Sequence, residues 1–332
     1  MRKMALYLTF LAAAYALAPL KTAQAALIEA WVASFGSDSN PCTRSQPCAT
    51  FVRALAQTSP GGEITCVDQG DFSTGNSLLI SQAITIDCEG VQGRFNYDSG
   101  GTAISISAAP DEVVILRGLI IESHGFSAFG ITFVSGAALH LEKCLIRGFN
   151  QIGGGWGLTV ETEGANSASD VFVSDTVFEN NGTASTGGGI LVQPTGANIV
   201  TKAVLDRVET RNNFFGIKAD GTATSGGGVI NMTVRDSVSS GNRLNGIVGT
   251  GNTNGPAIVM MIDRSASSHN AAGFGVIADG PKTTIRLGGS SVAGNINGVG
   301  ASNGGLLQSY GNNQINGNSN DGIAALTPIG LH

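Results

Sequence analysis

Residues 204–221 read VLDRVETRNNFFGIKADG, and residues 234–251 read VRDSVSSGNRLNGIVGTG. Written one above the other they share Val204 with Val234, Asp206 with Asp236, Asn212 with Asn242, and Gly216-Ile217 with Gly246-Ile247. Such recurrence marks a repeat architecture. Further copies follow: IDRSASSHNAAGFGVIADG at 262–280, LGGSSVAGNINGVGASNG at 287–304 and YGNNQINGNSNDGIAALTP at 310–328. VSDTVFENNGTASTGGGILVQ at 173–193 precedes them, and looser copies begin near Leu141 and Leu116.

Two landmarks define the repeat. One is Asn or a substitute: His124, Phe149 or Asn150, Asn181, Asn212, Asn242, Asn270, Asn295 and Asn318. The other is Gly followed by an apolar residue, from Gly130-Ile131 to Gly322-Ile323. Inside a repeat the hydrophobic period is two, as with Met232, Val234 and Val238, which indicates strands with one buried face. Only 49–57, ATFVRALAQ, places apolar residues on a helical face. The repeat is too short for a propeller blade and lacks a leucine-rich signature. Three short strands per coil suit it, with coils stacked about 4.8 Å apart into a rod on the order of 48 Å long. The expected fold is an all-β, right-handed parallel β-helix of about ten coils with a short N-terminal capping helix. Residues 26–90 supply the cap and first coils, with a first strand at Glu63 to Val67, and 91–332 continue the same domain.

Composition agrees. The chain has 332 residues, 48 of them Gly, with 42% hydrophobic and only 13% charged residues. Disorder requires low hydrophobicity, so tight turns between Val- and Ile-rich strands are the better reading. The formal charge of −6 argues against nucleic acid as a partner. Arg2 and Lys3, the apolar run Ala5–Leu20 and Ala23-Gln24-Ala25 form a secretory leader pattern, so 1–25 is expected to be a signal peptide cleaved near Ala25. No later run is long enough to span a membrane, which makes the expected product secreted or periplasmic. Export permits disulfides. Cys42 and Cys48 bracket a short loop, Cys66 and Cys88 each end an alternating run, and Cys144 is left over as a buried small residue.

GSDSNPCTRSQPCATFVRALAQTSPGGEITCVDQG at 36–70 and ISQAITIDCEG at 80–90 resemble the opening of exported bacterial right-handed parallel β-helix proteins. The later repeats resemble their coils. The superfamily is the pectin lyase-like one, and the resemblance covers most of 30–328. It implies fold rather than activity, since the superfamily holds polysaccharide lyases, hydrolases, esterases and epimerases beside non-catalytic surface proteins. Resemblance to a polygalacturonase would require an Asn-x-Asp strand, an Asp-Asp pair and a Gly-His-Gly. Asn320-Asp321-Gly322-Ile323 is a lone echo of these. A calcium-binding carboxylate cluster with an Arg base is not evident, and no cofactor motif is present.

The residues that could carry chemistry lie after the second landmark. Ile217 and Ala219 are expected to point inward, leaving Lys218 and Asp220 outward as a candidate catalytic pair. The outer column through Asp220 is expected to hold Val134, Glu161, Gln193, Thr250, Asp279, Ser302 and Leu326. Glu161, Asp220 and Asp279 fall on alternate coils, about 10 Å apart, and are candidate binding acids. That spacing fits an inverting glycosidase pair and fits equally a strip of solubilising acids. Phe129, Trp156, Phe215 and Phe274 precede the Gly landmark. They are read as an aromatic column inside the solenoid, with a sugar-stacking strip as the alternative. Asp175, Asp206 and Asp236 are expected at one corner, accepting backbone hydrogen bonds. The expectation is an exported module without a recognisable catalytic set that contacts polysaccharide or a cell surface. The alternatives are a divergent polysaccharide lyase, hydrolase or epimerase, and a structural or adhesin rod.

Overall fold

Alternating short strands and positive-φ corners wind the chain into a parallel β-solenoid of about ten turns, in a computed structural model that describes residues 27–165 and 167–330. The leader pattern at 1–25 lies outside the described residues. Among those described, three parallel sheets of twelve, nine and ten strands form the walls. We call them sheets A, B and C in that order. Each coil runs A, then C, then B. Thus Gly228–Arg235 belongs to A, Val238–Ser240 to C and Ile247–Thr250 to B.

The core is the stack of inward side chains. Ile131, Leu158, Ile190, Ile217, Ile247, Val276 and Val299 are in register in sheet B and buried. The Gly-apolar landmark therefore marks one column, as expected. It ends there: Ile323, which follows Gly322, is exposed in a 3-10 turn, Ile323–Ala325.

The two stretches quoted first do not superpose without a gap. Val234 pairs with Leu205, not Val204, whereas Ile247 pairs with Ile217. The chain between Asn242 and Ile247 is one residue longer than its counterpart between Asn213 and Ile217. Two expectations change in consequence. The ladder asparagine is Asn213, while Asn212 sits one residue earlier in a left-handed corner at φ 55°. Asp206 stacks on Arg235, and Asp236 stacks on Arg207 instead. Val238 also differs from its reading as a core residue. The left-handed bend at Asp236 (φ 49°) resets the alternation, so Val238 faces outward.

The Asn ladder runs Asn181, Asn213, Asn242, Asn270, Asn295, Asn318. Each Oδ1 from Asn213 onward accepts from the backbone N–H and side-chain amide of the preceding member, at 2.8–3.3 Å. Phe149 occupies the position before Asn181 and donates its N–H to Asn181. A second ladder at the A–C corner uses Thr176, Ser237, Ser265 and Ser290, whose hydroxyls accept the N–H of the preceding coil. Cys144 lies in this column. Its thiol points at the carbonyls of Leu116 and Glu142, as Ser237 points at those of Leu205 and Arg235.

The first strand begins earlier than the expected Glu63. Leu27–Val32 is a strand that pairs with Thr58–Cys66. Helix α1, Phe51–Gln57, follows; the Thr50 hydroxyl accepts the Arg53 N–H, and Phe51 and Ala54 are buried. Disulfides Cys42–Cys48 and Cys66–Cys88 join the anticipated pairs, and Cys144 is free and buried. No helix among the described residues is long and apolar enough to cross a membrane.

Candidate functional site

Strand Phe215–Asp220 in sheet B carries the candidate pair. Ile217 and Ala219 are buried in the core, so alternation sends Lys218 and Asp220 outward. The outer column through Asp220 is in register with Thr250, Asp279 and Ser302. One residue back, Ala219 is in register with Val192, which pairs with Val160, and Val160 with Phe133, so Val134, Glu161 and Gln193 precede Asp220 in the same column. Leu326 is not a member. It belongs to strand Leu326–Pro328, which pairs with Leu306–Ser309 in sheet A.

Lys218 and Asp220 are brought together, but as a closed pair. Lys218 Nζ lies 2.7 Å from Asp220 Oδ2 and 5.3 Å from the Phe215 ring centre. Asp220 Oδ1 accepts from the Thr222 N–H at 2.9 Å and its hydroxyl at 2.6 Å. Only 4% of Asp220 is exposed. Burial opposes its ionisation, yet the Lys218 ammonium and the Thr222 donors outweigh that and hold the carboxyl below its usual range. An acid or base catalyst works best with a pKa near the working pH, and Asp220 is moved the other way.

The other two acids differ from it. Asp279 Oδ1 accepts from Ser302 Oγ at 2.6 Å and Asn303 Nδ2 at 2.8 Å, a bend-stabilising arrangement. The half-buried Glu161 carboxylate has neither a hydrogen bond nor an ion pair among the described residues. Burial, and then the nearby Glu163 carboxylate, push its pKa up.

The aromatic residues are outside the solenoid, contrary to the reading of an interior column. Phe129, Trp156, Gly188 and Phe215 are in register. Trp156 and Phe215 lie parallel, with ring centres 6.1 Å apart at 6°. They meet across Gly188, where a Cβ would stand 2.6 Å from Trp156 Cζ3. The core phenylalanines are different ones, among them Phe133 and Phe178. Between the aromatic row and the acid column, Thr159, Leu191, Val248 and Ile277 alternate outward yet are buried. The outer side of sheet B is thus largely covered, Trp156 included at 6% exposure, and Phe129, Phe215, Lys218 and Glu161 are among the half-buried side chains that reach its surface.

The charged corner residues have another role than expected. Asp175 accepts both Nε and Nη2 of Arg207, and Asp236 accepts the same two atoms of Arg264. Asp206 accepts Arg235 Nε at 2.9 Å. Acids and arginines alternate up the stack, so each coil offers its neighbour the opposite charge. Sheet C repeats this with Glu122, Arg147, Glu179 and Arg211. This alternation was visible in the sequence once the register was known.

Of the histidines, His124 pairs with Asp98, His140 stacks on Phe172, and His269 occupies a left-handed corner before Asn270. No group of three His, Cys, Asp or Glu among the described residues is placed to hold a metal ion.

No protein-family model and no curated protein matches the chain. Solved structures do. Pectate lyase Pel9A superposes with a TM-score of 0.54 at 15% identity, over 88% of this chain and 79% of the other. The likeness is one of fold. A rhamnogalacturonan lyase (TM-score 0.38, 12% identity, 81% and 75% covered) is more distant. So is a GH136 lacto-N-biosidase from Eubacterium ramulus (0.40, 10%, 91% and 67%).

Proposed function

We propose that this chain is an exported, right-handed β-helix module that contacts polysaccharide through the outer strip of sheet B. In this reading 1–25 is a leader removed near Ala25. Residues 26–90 form the N-terminal cap with α1, and 91–332 continue the same domain. Two disulfides and the absence of a long apolar helix among the described residues fit an extracellular or periplasmic setting.

The observation that carries the proposal is the half-buried Phe215 on the outside of the coil, its ring parallel to the buried Trp156. Aromatic rings on an outer face, beside acids and amides, suit a long ligand with apolar faces and hydroxyl edges. The fold neighbour named a pectate lyase makes polysaccharide the ligand class to test first. The closed Lys218–Asp220 pair supports contact rather than chemistry at that point. The test is affinity electrophoresis against acidic and neutral polysaccharides. Retardation by at least one, lost in Trp156→Ala and Phe215→Ala, is expected. A wild-type protein that no glycan retards would remove the reading.

A second reading rests on Glu161. A half-buried carboxyl with a raised pKa is what a general acid requires. If the chain cleaves a glycan, Glu161 is the first residue to replace. Release of reducing or unsaturated ends that Glu161→Gln abolishes would favour this enzyme reading over the contact module.

A further inference from the structure

The geometry points to a second copy of this chain as the occupant of the outer face of sheet A. The inner face of sheet A is the solenoid core. Its outer face carries exposed apolar side chains, Phe172 at 38% exposure and Val113 at 36% among them.

The face is self-complementary. Consider a two-fold axis lying along the strands, between Ala168–Ser174 and Ile199–Asp206. It brings each residue of one copy opposite the residue in the same column, equally far on the other side of the axis, in the partner. Register then sets Asp170 against Lys202. One strand further out on each side Glu142 falls opposite Arg235, and one strand beyond that Arg117 falls opposite Asp263. Each of these is an acid against a base, and each side chain also has an ion-pair partner in its own copy: Asp170 with Lys202, Arg117 with Glu142, Arg235 with Asp206 and Asp263 with Arg264, so the interface would extend existing charge ladders. The apolar residues match as well, with Phe172 opposite Val204 and Ile115 opposite Met261. An isologous dimer requires such reciprocity, because each contact occurs twice.

The area suffices. The eight strands about the axis hold four to eight residues each; at about 4.8 Å between strands and about 20 Å mean length they give a face on the order of 800 Å². A standard stable interface uses about 800 Å² per partner.

Sedimentation velocity of the purified protein across concentrations tests the proposal. A monomer–dimer equilibrium is expected. Phe172→Lys should weaken it at least tenfold, and Ile152→Lys, an exposed loop control, should not. Asp170→Lys should weaken it, and adding Lys202→Asp should restore it. Thermal melts of each variant check folding, and Phe172→Thr replaces Phe172→Lys if the latter melts early. A protein that stays monomeric to about 100 μM, or a dimer indifferent to Phe172→Lys and to the Asp170/Lys202 exchange, overturns the proposal. So does a different macromolecule found bound to this face of a monomer.

Discussion

The side-chain amide of Asn242 donates to Oδ1 of Asn270 at 3.0 Å, while its own Oδ1 accepts the backbone N–H of Asn213 at 3.1 Å. One buried side chain therefore joins three coils. Asn242→Ala removes these bonds and leaves the Asn213 N–H without an acceptor inside the protein. Each buried orphan costs roughly 1–3 kcal/mol, so a loss of about 3 kcal/mol is expected. Asn212→Ala gives up only a left-handed preference worth roughly 1–2 kcal/mol. Chemical denaturation should rank them in that order. Equal losses would mean that the ladder contributes little.

The difference between Asn212 and Asn213 also shows how much a reader of the sequence can see. Column residues such as Ile217 and Ile247 are legible because parallel stacking repeats one environment at one place in each coil. Coil length does not disturb this, since extra residues are absorbed at bends. Bends are also where legibility fails. One added residue between Asn242 and Ile247 shifts everything before it, which hides the pairing of Asp206 with Arg235. The candidate site shows a second limit. Alternation places Lys218 and Asp220 outward, but the ion pair and the Thr222 bonds that close the site depend on rotamers. The aromatic row was legible as a column, but whether it lay inside or outside was not, because a Gly beside each ring leaves the parity undecided.

Cys144 stands where neighbouring coils have Thr176, Ser237 and Ser265. Burial pushes its thiol up to about 12, so it should resist thiol reagents in the native state and react on unfolding. Cys144→Ser should keep the corner bonds that Ser237 makes and melt within a degree or two of wild type. Rapid labelling of the native protein would contradict this placement.

Lys218→Met strands the Asp220 carboxylate in a buried position. Breaking a buried ion pair by removing one partner costs roughly 3–5 kcal/mol. Adding Asp220→Asn should recover most of that, because an amide oxygen can still accept from Thr222 and no charge remains. Guanidinium titrations of the two single variants and the double variant give the coupling. Strict additivity would show that the two side chains do not act as a pair.

Glu122 is buried between Arg94 and Arg147. Burial opposes its charge, but the two guanidiniums outweigh that and lower its pKa. A lowered carboxyl pKa contributes stability that is present above the unfolded-state value, near 4.3. That stability disappears as pH falls through the lower folded value. Melting temperature should therefore drop as pH falls from about 5 towards 2. Glu122→Gln should melt lower at neutral pH and show a shallower acid slope by calorimetry. An unchanged slope would assign acid sensitivity to other groups.

Glu161 has the opposite sign. Burial and Glu163 raise its pKa, so the folded protein binds its proton more tightly than the unfolded chain does. The stabilisation from that proton is complete below the unfolded value and declines as pH rises through the folded one. Above the folded value of Glu161 the folded state carries an unpartnered, half-buried charge. Glu161→Gln removes that charge and should raise the melting temperature at pH 7, with the gain shrinking to nothing near pH 3–4. The same variant separates two origins of the raised pKa. If Glu163 supplies most of it, Glu163→Gln should reproduce the gain; if burial does, Glu163→Gln should leave it largely intact. A Glu161→Gln protein no more stable at pH 7 than at pH 4, relative to wild type, would show that its carboxylate finds a partner in solution.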